Sequence, residues 1–445
     1  MHIINPNAAE TQMGGGEYPA AENEPLLAAV ASGGDSSIQI PDPALTKKDV
    51  TSSTTKGTSF FYTVFNLAHT IVGCGILTLP FACSCVGLGA FMILLVVMGL
   101  LSLATLSVMV RCSEAQHVYT FKELAQRMFG RAGGVAVELT ILVYSFGASV
   151  SFAVILGDYT TLVFAEWLPG TILSQRWFCV LIIAAIGFGP LSLARRLEFL
   201  RHTSLISMIC VAFAIVVAIV RLVAPVDMPP IPADKQAIVF FTSDFSKLFV
   251  ATPLISVAFA AQYNVQTLYK ELRQPTPARM DMVSVLTTVA VGILYGAMAF
   301  VGYLTFRGTT PPNILRGYPA TDILANLARL GMAIVSNFSY PFVQFPCRLG
   351  KPFPNKVHVP LCLGLVALCV LLSIVVPDMA VVLDLTGSLA GSAIVYIFPA
   401  LFAYRFLSPR WKIPTVLLGL VGLALAVLGC RSSILHAIEV FGGQA

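Results

Sequence analysis

Long apolar runs separated by short polar stretches dominate the chain from residue 58 onward. A helix of about 17–25 mostly apolar residues is long enough to cross a bilayer. Eleven runs have this length, and each is predicted to form a membrane-spanning helix. In chain order, spans 1 to 11 are predicted at 59–82, 88–110, 134–163, 177–194, 203–223, 248–269, 283–305, 320–345, 358–375, 380–404 and 413–430. This pattern predicts an all-α multi-pass membrane protein.

The composition agrees with this prediction. Hydrophobic residues make up 57% of the 445 residues and charged residues only 11%, whereas an average soluble domain has about 25% charged residues. No C-x2-C pair, Cys/His cluster, nucleotide-binding loop or catalytic constellation occurs, so we expect no metal, no cofactor and no enzyme. No basic cluster alternates with aromatic residues, which argues against nucleic acid and leaves membrane lipid as the bulk partner.

Residues 1–55 are rich in Gly, Ala, Ser, Asn and Pro and have no apolar periodicity, so they are predicted to form a disordered tail. Within them, Glu22 lies four residues before the pair Leu26 and Leu27. This arrangement resembles the acidic dileucine sorting signal that clathrin adaptors read. A working signal would place the protein in an endosomal, lysosomal or vacuolar membrane, and an incidental one would leave it at the plasma membrane.

The placement of Lys and Arg predicts the orientation. Of the 27 such residues, nineteen lie on the side of the N-terminal tail, seven lie on the opposite side, and Arg329 lies near the start of a span. Because positive residues accumulate on the cytosolic side, the N-terminal tail is predicted to be cytosolic. With eleven spans, a transmembrane domain at 56–432 would be followed by a short non-cytosolic tail at 433–445.

One loop on the predicted cytosolic side has local order. Thr120 and Glu123 form a capping box, apolar residues then recur at helical spacing, and Gly130 ends the pattern. The segment is either an amphipathic helix on the membrane surface or a loop that packs against the spans.

Two spans carry breaks. Gly73 and Gly75 interrupt span 1 near its middle, while span 6 contains Pro253 and a polar run that begins at Gln262. Unwound backbone at membrane depth is tolerated only where it is buried in protein or lines a cavity, and broken helices of this kind bind substrate and ions in secondary transporters. Free N–H groups at half-helix ends attract a carboxylate, and free carbonyls attract an amino group or a cation. A zwitterionic α-amino acid fits both kinds of end.

The run Val64-Phe-Asn-Leu-x-x-x-Ile-Val-Gly-x-Gly-Ile-Leu-x-Leu-Pro-x-Ala82 resembles span 1 of the amino acid/auxin permease family, closest to its sodium-coupled neutral amino acid transporter branch. Shorter matches follow in order, among them Val265-x-x-Leu-Tyr-Lys-Glu-Leu272, Gly302-Tyr-Leu-Thr-Phe306 and Ser339-Tyr-Pro341. The resemblance implies a leucine-transporter-like fold. In that fold spans 1–5 and 6–10 form a 5+5 inverted repeat, and an eleventh transmembrane helix is added.

The resemblance also implies a substrate site at the two breaks. Its residues would be Gly73, Cys74, Gly75, Phe259, Ala260, Ala261 and Gln262. Gln262 stands where the family usually has His, which keeps hydrogen bonding but removes a titratable group. The alternatives are that the two glycines serve only close helix packing and that Gln262 is hydrogen-bonded between helices.

Ion coupling is expected at His69 and Ser339. The family places a sodium-ligating hydroxyl at Ser339, and the sodium-coupled branch usually has Asn where this chain has His69. Sodium prefers oxygen ligands, whereas imidazole can carry a proton near neutral pH. We therefore predict H⁺ over Na⁺. The alternatives are a neutral His69 hydrogen-bonded between helices, with Na⁺ held by backbone carbonyls and Ser339, and a Ser339 bonded to its own helix.

Three acidic residues lie near span ends. Asp158 is an ionisable group at the membrane edge, so it is predicted to be either a gate or a structural ion pair. Asp322 and Asp384 are expected to lie near helix ends facing water.

Together these features predict a secondary active transporter that moves small, neutral amino acids by alternating access. The rival from another class is a membrane amino acid sensor that signals through its N-terminal tail. A channel is disfavoured because no repeated polar or carbonyl ring indicates a continuous pore.

The predicted topology can be tested with tags at the two termini. Because positive charge is concentrated on one side of the spans, a tag before residue 1 should be accessible only from the cytosol. A tag after residue 445 should be accessible only from the opposite side. Protease protection of both tags from the same side would contradict an odd number of spans.

The sorting prediction concerns the dileucine pair. Replacing Leu26 and Leu27 by Ala should move the protein from intracellular membranes to the cell surface, as measured by surface biotinylation, because the adaptor would lose the apolar side chains that it reads. Alanine at Leu385 and Leu389, which lie outside the tail in the sequence, serves as the control pair. If the unaltered protein already resides mainly at the surface, the motif is incidental.

Overall fold

The computed structural model describes residues 57–193, 203–228, 230–344, 355–376 and 378–442. The sorting motif of Glu22, Leu26 and Leu27 lies outside these residues. Secondary structure in the described ranges is helical apart from one isolated β-bridge. The helices of the N-terminal half are α1 Phe60–Ile71, α2 Leu79–Val86, α3 Leu88–Gln116, α4 Phe121–Trp167, α5 Arg176–Ile183, α6 Gly189–Leu193 and α7 Thr203–Val223.

The C-terminal half continues the same pattern, with eight further helices. They are α8 Leu248–Ala258, α9 Gln262–Glu271, α10 Pro277–Phe306, α11 Ile323–Gln344, α12 Asn355–Val375, α13 Met379–Thr386, α14 Phe398–Phe406 and α15 Lys412–Gly442. Wider π-helical turns join α5 to α6 at Ala184–Phe188 and follow α13 at Gly387–Gly391 and Ala393–Ile397. Such turns in apolar helices often mark functional sites.

The described residues contain eight helical stretches that are long and apolar enough to cross a membrane, and the bent pair α1–α2 makes a ninth. The chain is therefore a multi-pass helical membrane protein. Helices α11 and α12, of 22 and 21 residues, lie where spans 8 and 9 are predicted. The count of eleven spans and the 5+5 repeat stay predictions.

Helix α4 begins as its capping box predicts. Its first turn is capped by Thr120, whose hydroxyl accepts a hydrogen bond from the Glu123 N–H at 3.2 Å. Gly130, with φ 68° and ψ −160°, interrupts the helix where the pattern ends. The buried Phe121 ring packs against Phe402 at a centroid distance of 5.5 Å, so the apolar face of this segment packs against the helical body of the protein.

The two interrupted helical stretches, α1–α2 and α8–α9, are tied together at one end. The Thr58 N–H donates to the Glu271 carbonyl at 2.7 Å, and the Arg273 N–H donates to the Thr58 carbonyl at 2.9 Å. Gly57, with φ 155°, lies so close to Arg273 that an added Cβ would come within 2.9 Å of the Arg273 Cα. The segment that precedes α1 therefore packs directly on the end of α9, and no room is left for a side chain at Gly57.

At the opposite end, the segment before α8 covers the start of α3. The Phe240 carbonyl accepts hydrogen bonds from the Gly89 N–H at 2.9 Å and from the Ala90 N–H at 3.1 Å. The first N–H groups of a helix have no intrahelical partner, so these bonds satisfy donors that a membrane environment would leave exposed.

The expectation that Asp322 and Asp384 face water is wrong. Asp322 is 2% exposed and lies at the start of α11, where its carboxylate accepts hydrogen bonds from Arg221 at 2.6 and 2.7 Å. Asp384 is fully buried within α13. Sequence pattern cannot distinguish these environments because both residues follow a short polar break, and only packing decides what covers them.

Candidate functional site

The first break lies in the α1–α2 stretch, where the glycine pair predicts it. Helix α1 ends at Ile71, and a 3₁₀ turn at Cys74–Leu77 precedes α2. Gly73, between them, has extended backbone with φ −102° and ψ −150°. The two halves meet at a bend of 57°.

Local groups satisfy part of this break. The Gly73 N–H donates to the Ile71 carbonyl at 2.9 Å. The Gly75 carbonyl accepts from the Thr78 hydroxyl at 2.8 Å and from the Thr78 N–H at 3.1 Å. A buried polar group without a partner costs about 1–3 kcal/mol, so Thr78 stabilises the unwound turn.

The second break separates α8 from α9. Helix α8 ends at Ala258, α9 begins at Gln262, and Phe259, Ala260 and Ala261 connect them. These are the connecting residues that the family resemblance predicts. The first N–H groups of α9 and the last carbonyls of α8 therefore both point into this short segment.

The two breaks lie against each other, and the two glycines have different surroundings. A Cβ on Gly75 would meet Cα and Cβ of Ala258 at 3.3 Å, so Gly75 is a close-packing position. A Cβ on Gly73 would meet only the tip of the Phe152 ring, at 3.7 Å. Gly73 thus lies at the more open part of the break, while Gly75 holds the two stretches together.

Tyr295 on α10 joins the two breaks. Its buried hydroxyl lies 2.8 Å from the Ile71 carbonyl oxygen and 2.7 Å from the Ala258 carbonyl oxygen. These carbonyls end α1 and α8, and they are the kind of free acceptor that could hold a cation. A phenol has one hydrogen to donate, so the Tyr295 hydroxyl fills this position with a shared hydrogen bond.

The Gln262 side chain is fully buried and engaged on both sides. Its Oε1 accepts from the Ala261 N–H at 2.9 Å, and its Nε2 donates to the hydroxyls of Ser102 at 3.1 Å and Thr105 at 3.0 Å. This arrangement matches the alternative in which the Gln262 side chain forms hydrogen bonds between two helices. Gln262 therefore positions the start of α9 against α3, and its amide group is occupied by protein contacts.

Phe259 is also held by its neighbours. Its carbonyl accepts from the Ser102 hydroxyl at 3.0 Å, and its ring packs edge-on against Tyr295 at a centroid distance of 5.3 Å. The buried ring contacts α3 beside Gly99, where an added Cβ would lie 3.5 Å from it. The backbone of this segment is thus held by contacts from α3 and α10.

Aromatic side chains border the breaks on the side of α4. Phe152 lies beside Gly73, and Tyr144 packs against Tyr263 of α9 at a ring distance of 5.7 Å. Tyr144 also lies close to Gly391, where an added Cβ would be 3.8 Å from its ring. Uncharged side chains from α4, α9 and the turn after α13 therefore converge near the two breaks.

The two predicted ion-coupling residues occupy different helices. His69 lies in the last turn of α1 and is 8% exposed. Ser339 lies in α11, and its buried hydroxyl has no hydrogen-bond partner among the described residues, whereas the neighbouring Ser336 bonds back to the Met332 carbonyl at 2.9 Å. Helix α7 contacts both α1 and α11.

Asp158 forms an ion pair. Its carboxylate accepts a hydrogen bond from Arg176 and lies 3.8 Å from the Arg316 guanidinium. Arg176 also donates to the Ser373 carbonyl at 3.3 Å. These contacts join the end of α4 to α5, to the loop before α11 and to α12. The Asp158 side chain is only 2% exposed.

The sequence did not single out Tyr295, Ser102 or Thr105. Each is a polar residue inside a long apolar run, which is the signal that could have found them. Many such residues only bond to their own helix, however, so the signal alone does not say which of them reach a break.

Comparison with known proteins adds an independent finding. The profile of the family described as "Transmembrane amino acid transporter protein" matches residues 56–438. The chain is 28% identical over 360 residues to a putative sodium-coupled neutral amino acid transporter 11 of Danio rerio, covering 78% of this chain and 79% of the relative.

Two plant proteins are similar at the same level. Amino acid transporter AVT6E of Arabidopsis thaliana is 28% identical over 384 residues, covering 79% of this chain and 77% of the relative. Amino acid transporter AVT6D of the same plant is 27% identical over 435 residues, covering 89% and 97%. The family match extends over the whole helical region that contains both breaks, and the chain therefore belongs to the transmembrane amino acid transporter family, also called the amino acid/auxin permease family.

Proposed function

We propose that this protein is a secondary active transporter of small neutral amino acids that works by alternating access and is coupled to H⁺. The observation that carries the proposal is the pair of broken helical stretches packed against each other at Gly75 and Ala258. The membership of the family supports amino acid transport in general. The substrate size, the coupling ion and the mechanism are the parts that we propose here.

The half-helix ends favour a zwitterion. The first N–H groups of the 3₁₀ turn at Cys74–Leu77 and of α9 have no intrahelical partners, and the positive ends of these dipoles attract a carboxylate. The ends of α1 and α8 present carbonyl oxygens, which attract an ammonium group. Gly73 lets the backbone approach the ligand closely, and we place the α-amino and α-carboxyl groups of the substrate between these ends.

Uncharged contacts support a neutral substrate. The aromatic side chains around the breaks include Phe152, Tyr144, Tyr263, Phe259 and Tyr295. A charged substrate side chain placed among them would lack a partner and would be costly to desolvate. Aromatic rings on several sides also favour a small substrate.

Proton coupling is supported by what occupies the carbonyls of the breaks. The Tyr295 hydroxyl already lies between the Ile71 and Ala258 oxygens, so a sodium ion there would have to displace it. His69, one helical turn before Gly73, is the proposed proton carrier because imidazole titrates near neutral pH. The unbonded Ser339 hydroxyl is the feature that would favour Na⁺ instead.

Four further assignments complete the proposal. The fold is a 5+5 inverted repeat with an eleventh helix, and the N-terminal tail is cytosolic. The protein resides in a lysosomal, vacuolar or endosomal membrane, and the ion pair of Asp158 closes the non-cytosolic side. Uptake by purified protein in liposomes tests the function directly. Binding of amino acids without flux would favour the sensor.

The first site prediction concerns Gly73→Val. A valine there would restrict the extended backbone and place methyl groups against Phe152. Overpacking of this kind costs about 1–3 kcal/mol, so uptake of the preferred amino acid should fall by about tenfold or more. Uptake in proteoliposomes, normalised to the amount of inserted protein, measures the effect.

Gly364→Val is the matched control, because an added Cβ at Gly364 in α12 meets nothing within 4 Å. This variant should transport normally. Gly75→Val should lower the yield of folded protein as well, since its side chain would meet Ala258. Normal uptake by the Gly73 variant would remove this residue from the substrate site.

The second prediction concerns His69→Ala. Without the imidazole, uptake driven by a pH gradient should be lost while exchange of internal for external amino acid is kept, because exchange needs no net proton movement. The control is His117→Asn, since His117 is exposed with φ 51° and Asn tolerates that conformation. Unaltered protein that requires Na⁺ and ignores pH from roughly 5.5 to 8, a range that brackets the imidazole pKa, would contradict proton coupling.

A further inference from the structure

Asp384 is a buried acidic residue that belongs to neither of the two breaks. It lies in the second turn of α13, is fully buried, and neither of its oxygens has a hydrogen-bond partner of normal geometry in the described part of the chain. It also forms no ion pair with a described Lys or Arg, in contrast to the buried Asp158 and Asp322. An isolated buried carboxylate is costly, so this position needs a bound proton or cation.

The nearest polar groups are two hydroxyls, from Ser388 and Ser433. The Ser433 hydroxyl donates to the Gly429 carbonyl at 2.8 Å, and the two hydroxyl oxygens lie 3.2 Å apart. Each of these hydroxyl oxygens can accept a hydrogen bond from a protonated carboxyl.

No described Lys or Arg forms an ion pair with Asp384 in place of the proton. The thiols of Cys85 at the end of α2 and Cys430 on α15 interact with it electrostatically. The cations on the neighbouring elements are Lys247, which precedes α8 and interacts with the Cys85 thiol, and Arg431 on α15, and both are exposed. Helix α8, which packs on α13, has no titratable side chain between Leu248 and Ala258. On α4, Asp158 is engaged by Arg176. Asp378, at the start of α13, caps the Ala380 N–H at 2.8 Å.

The neighbourhood of Asp384 is mechanically connected to the second break. Three residues after it, Gly387 lies against α8 so closely that an added Cβ would be 2.2 Å from Val257. At Gly429 of α15, an added Cβ would meet both the Ser388 hydroxyl at 2.5 Å and Pro253 of α8 at 3.0 Å. Any repacking around Asp384 therefore reaches α8, whose last residue, Ala258, precedes the break.

We propose that Asp384 is a proton-binding site of the transport cycle, which is protonated in the structure described and loses its proton when α13 and α15 move relative to α8. The ligand is a proton taken up from the non-cytosolic side, since α13 is the beginning of predicted span 10 and lies nearer that side in the predicted topology. Deprotonation would leave a buried charge that only water entering between α13 and α15 could solvate. The proposal rests on the proposed function in assuming ion-coupled transport, but it does not require His69.

The test compares Asp384→Asn with unaltered protein in proteoliposomes with a clamped membrane potential. A gradient of about one pH unit can drive about tenfold accumulation through one coupled proton. The Asn variant should lose this accumulation and keep exchange, because an amide mimics the neutral carboxyl but cannot release a proton. Asp378→Asn is the matched control, since Asn is an equally good N-cap, and it should accumulate normally.

The outcomes separate the two proposals. Absence of exchange by the unaltered protein would contradict the proposed function. Normal gradient-driven accumulation by Asp384→Asn, in a protein that otherwise exchanges, would overturn only the role of Asp384. Loss of both exchange and accumulation in a folded variant would also overturn it, because that result indicates a structural residue.

A second measurement does not depend on the folding of a variant. Dicyclohexylcarbodiimide modifies carboxylic acids in their protonated form, and peptide mass spectrometry locates the product. In the unaltered protein, Asp384 should be modified near neutral pH and progressively less as the pH is raised, while Asp322, paired with Arg221, should stay unmodified. An unmodified Asp384, or modification that does not change with pH, would overturn the proposal.

Discussion

Breaks in apolar helices leave backbone N–H and C=O groups without intrahelical partners in a region that lipid cannot hydrate. The arrangement around the two breaks follows from how these groups are satisfied. Tyr295 donates toward the carbonyls that end α1 and α8, Ser102 donates to the Phe259 carbonyl, and Thr78 donates to the Gly75 carbonyl. These side chains come from helices next to the breaks, so α3 and α10 must pack where they do for the unwound turns to exist. The groups left over include the first N–H groups of the Cys74–Leu77 turn and of α9, and in our proposal a zwitterionic ligand uses them.

The same requirement explains why the site is preorganised. Gln262 joins α9 to α3, and the bridge between Thr58 and Leu272 joins the start of α1 to the end of α9. A rigid pairing of the two interrupted stretches suits a transporter in which they move as one unit relative to the surrounding helices. The wide turn that follows α13 also contacts α8, where Gly387 lies tightly against Val257. This is a second contact surface, where we place the proton-dependent step at Asp384.

Buried charges are arranged by what surrounds them. Asp158 and Asp322 are each paired with an arginine, and the fully buried Arg329 donates to the carbonyls of Leu315, Tyr318 and Pro319. A buried charge that keeps such partners is stable, and removing one partner costs several kcal/mol, about 3–5 in measured cases. Asp384 has no such partner within the described part of the chain, and this contrast singles it out from the other buried acids.

The helical class, the positions of both breaks and the cap and kink of α4 can all be predicted from local sequence. They depend on the length of the apolar runs, the glycines at 73 and 75, the capping box at Thr120 and the glycine at 130. Other features depend on how the helices pack: Gly75 lies on Ala258 while Gly73 stays open, Gln262 contacts Ser102 and Thr105, and Tyr295 reaches both breaks. Packing also decides that Asp322 and Asp384 are buried. These outcomes depend on contacts between residues far apart in the sequence, such as Tyr295 and Ile71, which are 224 positions apart. The local sequence pattern does not indicate which polar group will meet which partner.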